Sequence, residues 1–511
     1  MVNAGRSNGT SGFGLAFQHW IRLDPCRSRV AVRRVGVPGE RRRCLHTETV
    51  QRWLSALSFS DGQESATLSF MEGQLRALVR QKIIDSLAAS PPSLTRRDVR
   101  LPAVERKAIA VLGMRRTGKT TFLWQVLSDR LAVGTPREGL VYFSFEDERL
   151  AGMEAADLGL VLEEYYRLYP DWRDGQRATF FLDEIQVVSG WERFARRLLD
   201  TEKIDLFVSG SSARLLSREV ATAMRGRAME ALVHPFSFRE VLRHLGREPK
   251  VGPDRLPKAA RSALERDLRD YLATGGFPEA VGVPARDRID LLRGYVDVVL
   301  LRDVIERHNV TNPLALRAMT RQLLANAAGP FSVSKFHGAL HSQGVAVAKD
   351  SLHAYLSYLE DAFLVRTVSI DAGSERQRMV NPRKVYPIDP GLIALFDRSG
   401  RANLGHALET CVLLDLERRG AEVAYVRTRS GFEVDFLTRY PGGEEKLIQV
   451  TAEATDPATR ERELRALVEA EAAYPRASLH LVALDPEDVG ELPRRVALHS
   501  AVDWLLGEED A

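Results

Sequence analysis

Apolar side chains recur along the chain with different spacings, and each spacing predicts a different element. From Met71, "MEGQLRALVRQKIIDSLAAS" places Leu75, Leu78, Val79, Ile83 and Leu87 on one face of a 3.6-residue period, which predicts an amphipathic helix. Continuous apolar runs of strand length follow at residues 109–112 and in "GLVYFSFED", "ATFFLDEIQ" and "IDLFVSGSSARLL". Helical patterns separate them as far as "EALVHPFSFREVL". Buried strands alternating with helices predict a parallel sheet covered on both faces, a doubly wound α/β domain.

Beyond residue 245 the period becomes mainly helical. "YLATGGFPEAV" interrupts it with Gly275-Gly276 and Pro278, which reads as a hinge-like break. Helical patterns resume in "LLRGYVDVVLLRDVIERHNV" and "LALRAMTRQLLANAA". A short helix at 334–342, a glycine turn and a second helix at 349–362 fit a helix-turn-helix, with the apolar strand after them as a wing. A recognition helix in a major groove carries basic and polar side chains near its start. Here Lys349, Ser351 and His353 stand there, with Glu360 and Asp361 further along, so a DNA reader and a structural bracket both remain open.

At 511 residues the chain has room for about three or four domains. Its 44% hydrophobic and 28% charged residues are those of a soluble globular protein. No stretch approaches the roughly 18 apolar residues of a membrane span, so no membrane partner is expected. Cys26, Cys44 and Cys411 are scattered, which speaks against a disulfide framework or structural zinc and fits the reducing cytoplasm. Residues 1–53 hold ten arginines and three acids, a balance of +7 against +3 for the whole chain. The remainder is therefore slightly acidic, and any nucleic-acid footprint must be local. Residues 1–60 show no sustained period and are expected to be a disordered or spurious basic extension.

The strongest chemical signal is "AIAVLGMRRTGKTTFLWQVL". Strand, then Gly113-Met114-Arg115-Arg116-Thr117-Gly118-Lys119-Thr120-Thr121, then helix is the phosphate-binding loop in its required context. The glycines let backbone N–H groups curl around phosphates at a helix N-terminus. Lys119 is expected on the β- and γ-phosphates of ATP, and Thr120 on Mg²⁺. "ATFFLDEIQ" ends in Asp183, a second Mg²⁺ partner, and Glu184, a base for the attacking water. Ser209 to Ser212 close the next strand, as phosphate-contacting hydroxyls or as an ordinary turn. Arg214, Arg225 and Arg227 are candidates for a guanidinium on the γ-phosphate, with no basis for choosing among them.

"GMRRTGKTT", "FFLDEIQ", "FVSGSSARLL" and "RGRAMEALVHPFSFREVL" together resemble prokaryotic AAA-type ATP-binding proteins. The likeness continues through "YLATGGFPEAV", "RDVIERHNV", "YLSYLEDAFLV" and "KVYPIDPGL", over roughly residues 71–500. It implies an AAA ATPase domain, a winged-helix region and a restriction-endonuclease-like end of uncharacterised function. The division expected is 61–245 for the P-loop ATPase domain with its leading helix, 246–310 for a helical linker, 311–375 for the winged-helix-like module and 376–511 for the nuclease-like domain.

In that last part Glu409 lies on a helix, Asp435 on a strand, and Gln449 and Thr451 on one face of the next strand. Metal-assisted hydrolysis needs anionic ligands and usually a lysine. Here an amide and a hydroxyl replace the second-strand acid and the lysine, with Glu453 and Lys446 nearby as substitutes. A degenerate, non-cutting site is expected. The chain thus reads as an Mg²⁺-dependent ATPase whose nucleotide state controls its C-terminal half, with duplex DNA, a protein partner or a second copy of itself as candidate partners. An ATP-regulated nuclease and a nucleotide-gated adaptor are the alternatives.

Overall fold

The computed structural model describes residues 61–507 apart from 174, 211–223, 225, 253–254, 397–402 and 454–456. The chain divides into residues 1–75 and 76–511, and the site described below lies in the second unit. A helix at Asp61–Ala88 starts ten residues before the expected Met71. Val79 and Ile83 on that face are fully buried.

Five strands, β1 Ala108–Leu112, β2 Leu140–Ser144, β3 Ala178–Asp183, β4 Ile204–Gly210 and β5 Ala228–Leu232, form one sheet in the order β2-β3-β4-β1-β5. Every pairing is parallel, so all carboxyl ends meet at one edge, where ligands bind in such sheets. Both faces are covered, which is why the strands read as unbroken apolar runs. Val111, Phe122, Leu123 and Phe181 pack in one core, with Phe181 stacked on Phe207 at 5.1 Å. The fold is an α/β P-loop domain followed by further helical and α/β layers.

Helices Lys258–Thr274 and Ala285–Val298 come next, the second running directly into a π-helix at Val299–Glu306. The hinge expected at Gly275-Gly276 is instead a packed joint. The Gly276 amide donates to Asp389 Oδ2 at 2.7 Å, and its carbonyl accepts from Phe236 N–H at 2.7 Å. A Cβ on Gly276 would lie 2.1 Å from Phe236 O, so the glycine serves close approach rather than motion.

Helix Pro313–Ala325, β6 Pro330–Phe331, helices Val333–Ser342 and Lys349–Asp361, β7 Val365–Val368 and β8 Arg383–Pro387 follow, the strands forming an antiparallel sheet β6-β8-β7. The last sheet holds β9 Glu422–Arg427, β10 Glu433–Arg439, β11 Glu445–Thr451, β12 Ser478–Ala483 and β13 Val496–Ser500. β9, β10 and β11 pair antiparallel, and β12 and β13 add in parallel. Leu408 and Val412 of helix Leu404–Arg418 share a core with Phe436 and Ile448 of this sheet and with Phe238 and Leu268 from upstream. Among the described residues no helix is long and apolar enough to cross a membrane.

Candidate functional site

The phosphate loop leaves β1 through Gly113 at φ +149°, where a Cβ would meet Val233 O at 2.2 Å. Arg116 at φ +69° and Gly118 at φ +93° complete the curl, and helix Lys119–Ala132 starts at its end. Thr117 is buried and donates to Met114 O at 3.0 Å, tying the loop across its own mouth. Met114 is itself fully buried, and its carbonyl also accepts from Lys119. Arg97 supports the loop from behind. Its guanidinium donates to Thr117 O at 2.8 Å, His234 O at 2.6 Å and Glu240 Oε1 at 3.0 Å.

Lys119 is 6% exposed, and its Nζ stands 3.2 Å from Met114 O and 3.9 Å from Glu184 Oε1. Burial lowers its pKa, against the pull of Glu184 and Asp183. Thr120 donates its hydroxyl to Asp183 Oδ2 at 2.8 Å, and Tyr142 donates to the same oxygen at 2.7 Å. Ser209, at the end of β4, donates to Asp183 Oδ1 and accepts the Glu184 amide at 3.0 Å. The strand order makes this possible, since β4 lies directly beside β3. Glu184 leaves β3 at φ +53°, and burial raises its carboxyl pKa while Lys119 opposes. Lys119, Thr120, Thr121, Glu146 and Glu184 line a cavity of about 700 Å³, within the size range of small-molecule sites.

Two expectations need correction. Ser209 is fully buried with its hydroxyl on Asp183 and the Glu184 amide, so it positions those residues rather than facing a phosphate. Arg227 sits at the amino end of β5, opposite the loop, and pairs with Asp200. Ser211, Ser212, Arg214 and Arg225 lie outside the described residues. The loop's own arginines are instead bound from downstream. Arg115 pairs with Asp303 and Arg116 with Glu279, at 2.8 and 3.2 Å. Asp303 belongs to "RDVIERHNV", and nothing in its local sequence marks it.

Residues 105–242 match the AAA domain family, and residues 265–401 match a domain of unknown function. An uncharacterized protein of Methanocaldococcus jannaschii is 30% identical over 397 residues, 76% of this chain and 85% of its own length. The chain belongs to that protein's family. An uncharacterized Haemophilus influenzae protein is 28% identical over 64% of this chain and 78% of its own length. Among solved structures, the Walker-type ATPase of Pyrococcus abyssi aligns at 15% identity over 63% of this chain and 95% of its own, with a TM-score of 0.34. This chain carries an AAA-type, nucleotide-binding P-loop domain, which holds Lys119 and Asp183.

A second polar cluster lies in the C-terminal half. The lysine that serves it is one that the sequence did not single out. Lys384, on β8, places Nζ 3.0 Å from Glu409 Oε1, 2.9 Å from Asp435 Oδ1 and 3.0 Å from Glu433 Oε1, with 3% of its side chain exposed. Tyr386, two residues on, donates to Glu409 Oε1 at 2.7 Å. Lys446, the expected substitute, pairs with Glu444 instead. Glu453 is exposed, and the acid that meets Gln449 is Glu463. Burial works against the Lys384 charge, but Asp435 and its neighbours hold the ammonium pKa well above the ordinary value. Among the described residues no group of three or more His, Cys, Asp or Glu side chains is arranged to hold a metal ion.

Proposed function

We propose that this protein is an Mg²⁺-dependent ATPase of slow turnover whose nucleotide state repositions a winged-helix-like module at 311–375 and a restriction-endonuclease-like part at 376–511. The convergence of Lys119, Thr120 and Glu184 on one cavity, with Asp183 hydrogen-bonded to Thr120 behind its wall, carries this reading. The Thr120 hydroxyl and Asp183 carboxylate are hard oxygen donors suited to Mg²⁺, which when bound would neutralise charge on the phosphates. Lys119 would meet the β- and γ-phosphates, and the Glu184 carboxylate would take a proton from the attacking water. Tyr142 and Ser209 hold Asp183 so that no reorganisation is needed when the substrate arrives.

Lys349 and His353 are exposed on the second helix of the 333–361 pair, which supports duplex DNA as the partner. The test is ATP turnover with and without duplex DNA, comparing the parent protein with Glu184→Gln. Stimulation that fades with salt supports the DNA reading, and turnover indifferent to DNA points to a protein partner. Equal turnover by both proteins removes Glu184 as the base.

A second reading, a nucleotide-regulated nuclease, is favoured by Lys384, which supplies the cation thought to be missing beside Glu409 and Asp435. Mg²⁺-dependent nicking of DNA that disappears in Asp435→Ala would support it. Equal nicking by parent and variant would sink it.

A further inference from the structure

The two arginines at the centre of the phosphate loop are both engaged by the helical segment that follows the sheet domain. Arg115 donates from Nε to Asp303 Oδ2 at 2.8 Å and from Nη2 to Oδ1 at 3.1 Å, a two-point grip. Asp303 is 5% exposed, whereas the Arg115 side chain keeps 31% of its surface and lines the cavity beside Lys119 and Glu184. The carboxylate is thus committed to this partner, while the guanidinium also faces the ligand space. Removing the partner of a buried charge is costly, so Asp303 would not remain in place if Arg115 turned away.

Asp303 sits in the π-helix Val299–Glu306, a backbone form uncommon in general and frequent at functional sites. Just beyond it, the His308 ring stacks on Tyr358 with centroids 3.7 Å apart and planes 6° from parallel. Tyr358 belongs to the Lys349–Asp361 helix. One short segment therefore touches the phosphate loop at one end and the second helix of the helix-turn-helix pair at the other.

We propose that Arg115 is a phosphate-sensing guanidinium shared between Asp303 and the terminal phosphate of a bound nucleoside triphosphate, with Asp303 as its positioning residue and the π-helix as the element that moves. A γ-phosphate and the Asp303 carboxylate are rival anions for one cation. A triphosphate draws Arg115 toward the cavity, and a diphosphate leaves it on Asp303. Loosening Asp303 shifts the π-helix and, through His308, the helix carrying Tyr358. The inference rests on the nucleotide-site reading above and adds to it the residue pair that distinguishes ATP from ADP.

The test measures affinity for ADP and for a non-hydrolysable ATP analogue in the parent, Asp303→Asn and Arg115→Met. Without its rival anion, Arg115 binds the triphosphate more readily, so Asp303→Asn should tighten the analogue about 5- to 10-fold and leave ADP unchanged. Arg115→Met should bring the analogue to within about 2-fold of ADP. A parallel loss of both affinities in Asp303→Asn, or no change in their ratio, would make the pair a structural bridge only and overturn the proposal. Should the variants fold poorly, amide hydrogen exchange on the parent gives a separate answer. Residues 299–306 and 349–361 should change protection with the analogue and not with ADP, and equal responses to the two would also overturn it. A parent that binds neither ligand would refute the nucleotide site itself.

Discussion

Lys119 and Glu184 face each other across the cavity at 3.9 Å, Nζ to Oε1, with 6% and 13% of their side chains exposed. Neither charge is well solvated, so each depends on the other until phosphates enter between them. Lys119→Ala should abolish ATP binding, since among the described residues no other lysine lines the cavity. Glu184→Gln keeps the hydrogen-bonding shape without the base, so ATP should bind while turnover falls on the order of 10²-fold. Fluorescent-nucleotide titration and phosphate release separate the two outcomes.

The pH profile should carry the mark of burial. As the proposed base, Glu184 must be a carboxylate to accept a proton, and desolvation raises its pKa above the ordinary 4.5. Turnover should therefore fall as pH drops through that raised value, earlier than an exposed glutamate would dictate. Lys119 must be an ammonium, and burial lowers its pKa, so ATP affinity should weaken on the alkaline side below the ordinary lysine range. Glu184→Gln should lose the acid limb and keep the alkaline one.

Ser209→Ala removes the hydroxyl that joins Asp183 to the Glu184 amide. Turnover should drop about 10- to 100-fold with ATP affinity nearly kept, because positioning is lost and not binding. A KM rise at constant kcat would contradict this role.

In the second cluster a single ammonium stands between two buried acids. Burial and the neighbouring Asp435 push Glu409 up to about 8, with Lys384 opposing. The folded state then keeps a proton that the unfolded chain releases near the ordinary 4.5. The contribution of this group to stability is fully present below that value and is lost as pH rises through 8. Glu409→Gln should flatten the decline by a few kcal/mol in denaturant titrations run at several pH values.

Arg97→Met leaves Glu240 buried without its cation and frees the Thr117 and His234 carbonyls. A loss of about 3–5 kcal/mol in folding stability is expected. Chemical denaturation monitored by circular dichroism would measure it.

The phosphate loop and the acids of β3 were legible because their chemistry is written in consecutive residues: the spacing from Gly113 to Thr120 and the apolar run ending at Asp183 name their own partners. The helix pair at 333–361 was legible from period alone. What escaped lies far apart in the chain. Lys384 is 51 residues from Asp435, and Arg115 is 188 from Asp303. A lysine at the start of "KVYPIDPGL" carries no sign of the acids it will meet. Arg97 was missed for the same reason, as its partners Thr117, His234 and Glu240 lie in two segments well downstream of it. The Gly275-Gly276 pair was misjudged because glycine permits both looseness and close contact, and only the neighbours decide which.

Those two glycines also bear on how the chain can vary. Asp389 is fully buried and accepts the amides of Gly276 and Gly391, while Phe236 hydrogen-bonds Gly276 from the end of the sheet domain. Three stretches of sequence, near 236, 276 and 390, thus meet where even one methyl group has no room. A chimera that takes its first half from one relative and its second half from another must match at this joint, however well each half folds alone. The sheet domain and the C-terminal half therefore fit each other as a matched pair rather than as exchangeable modules.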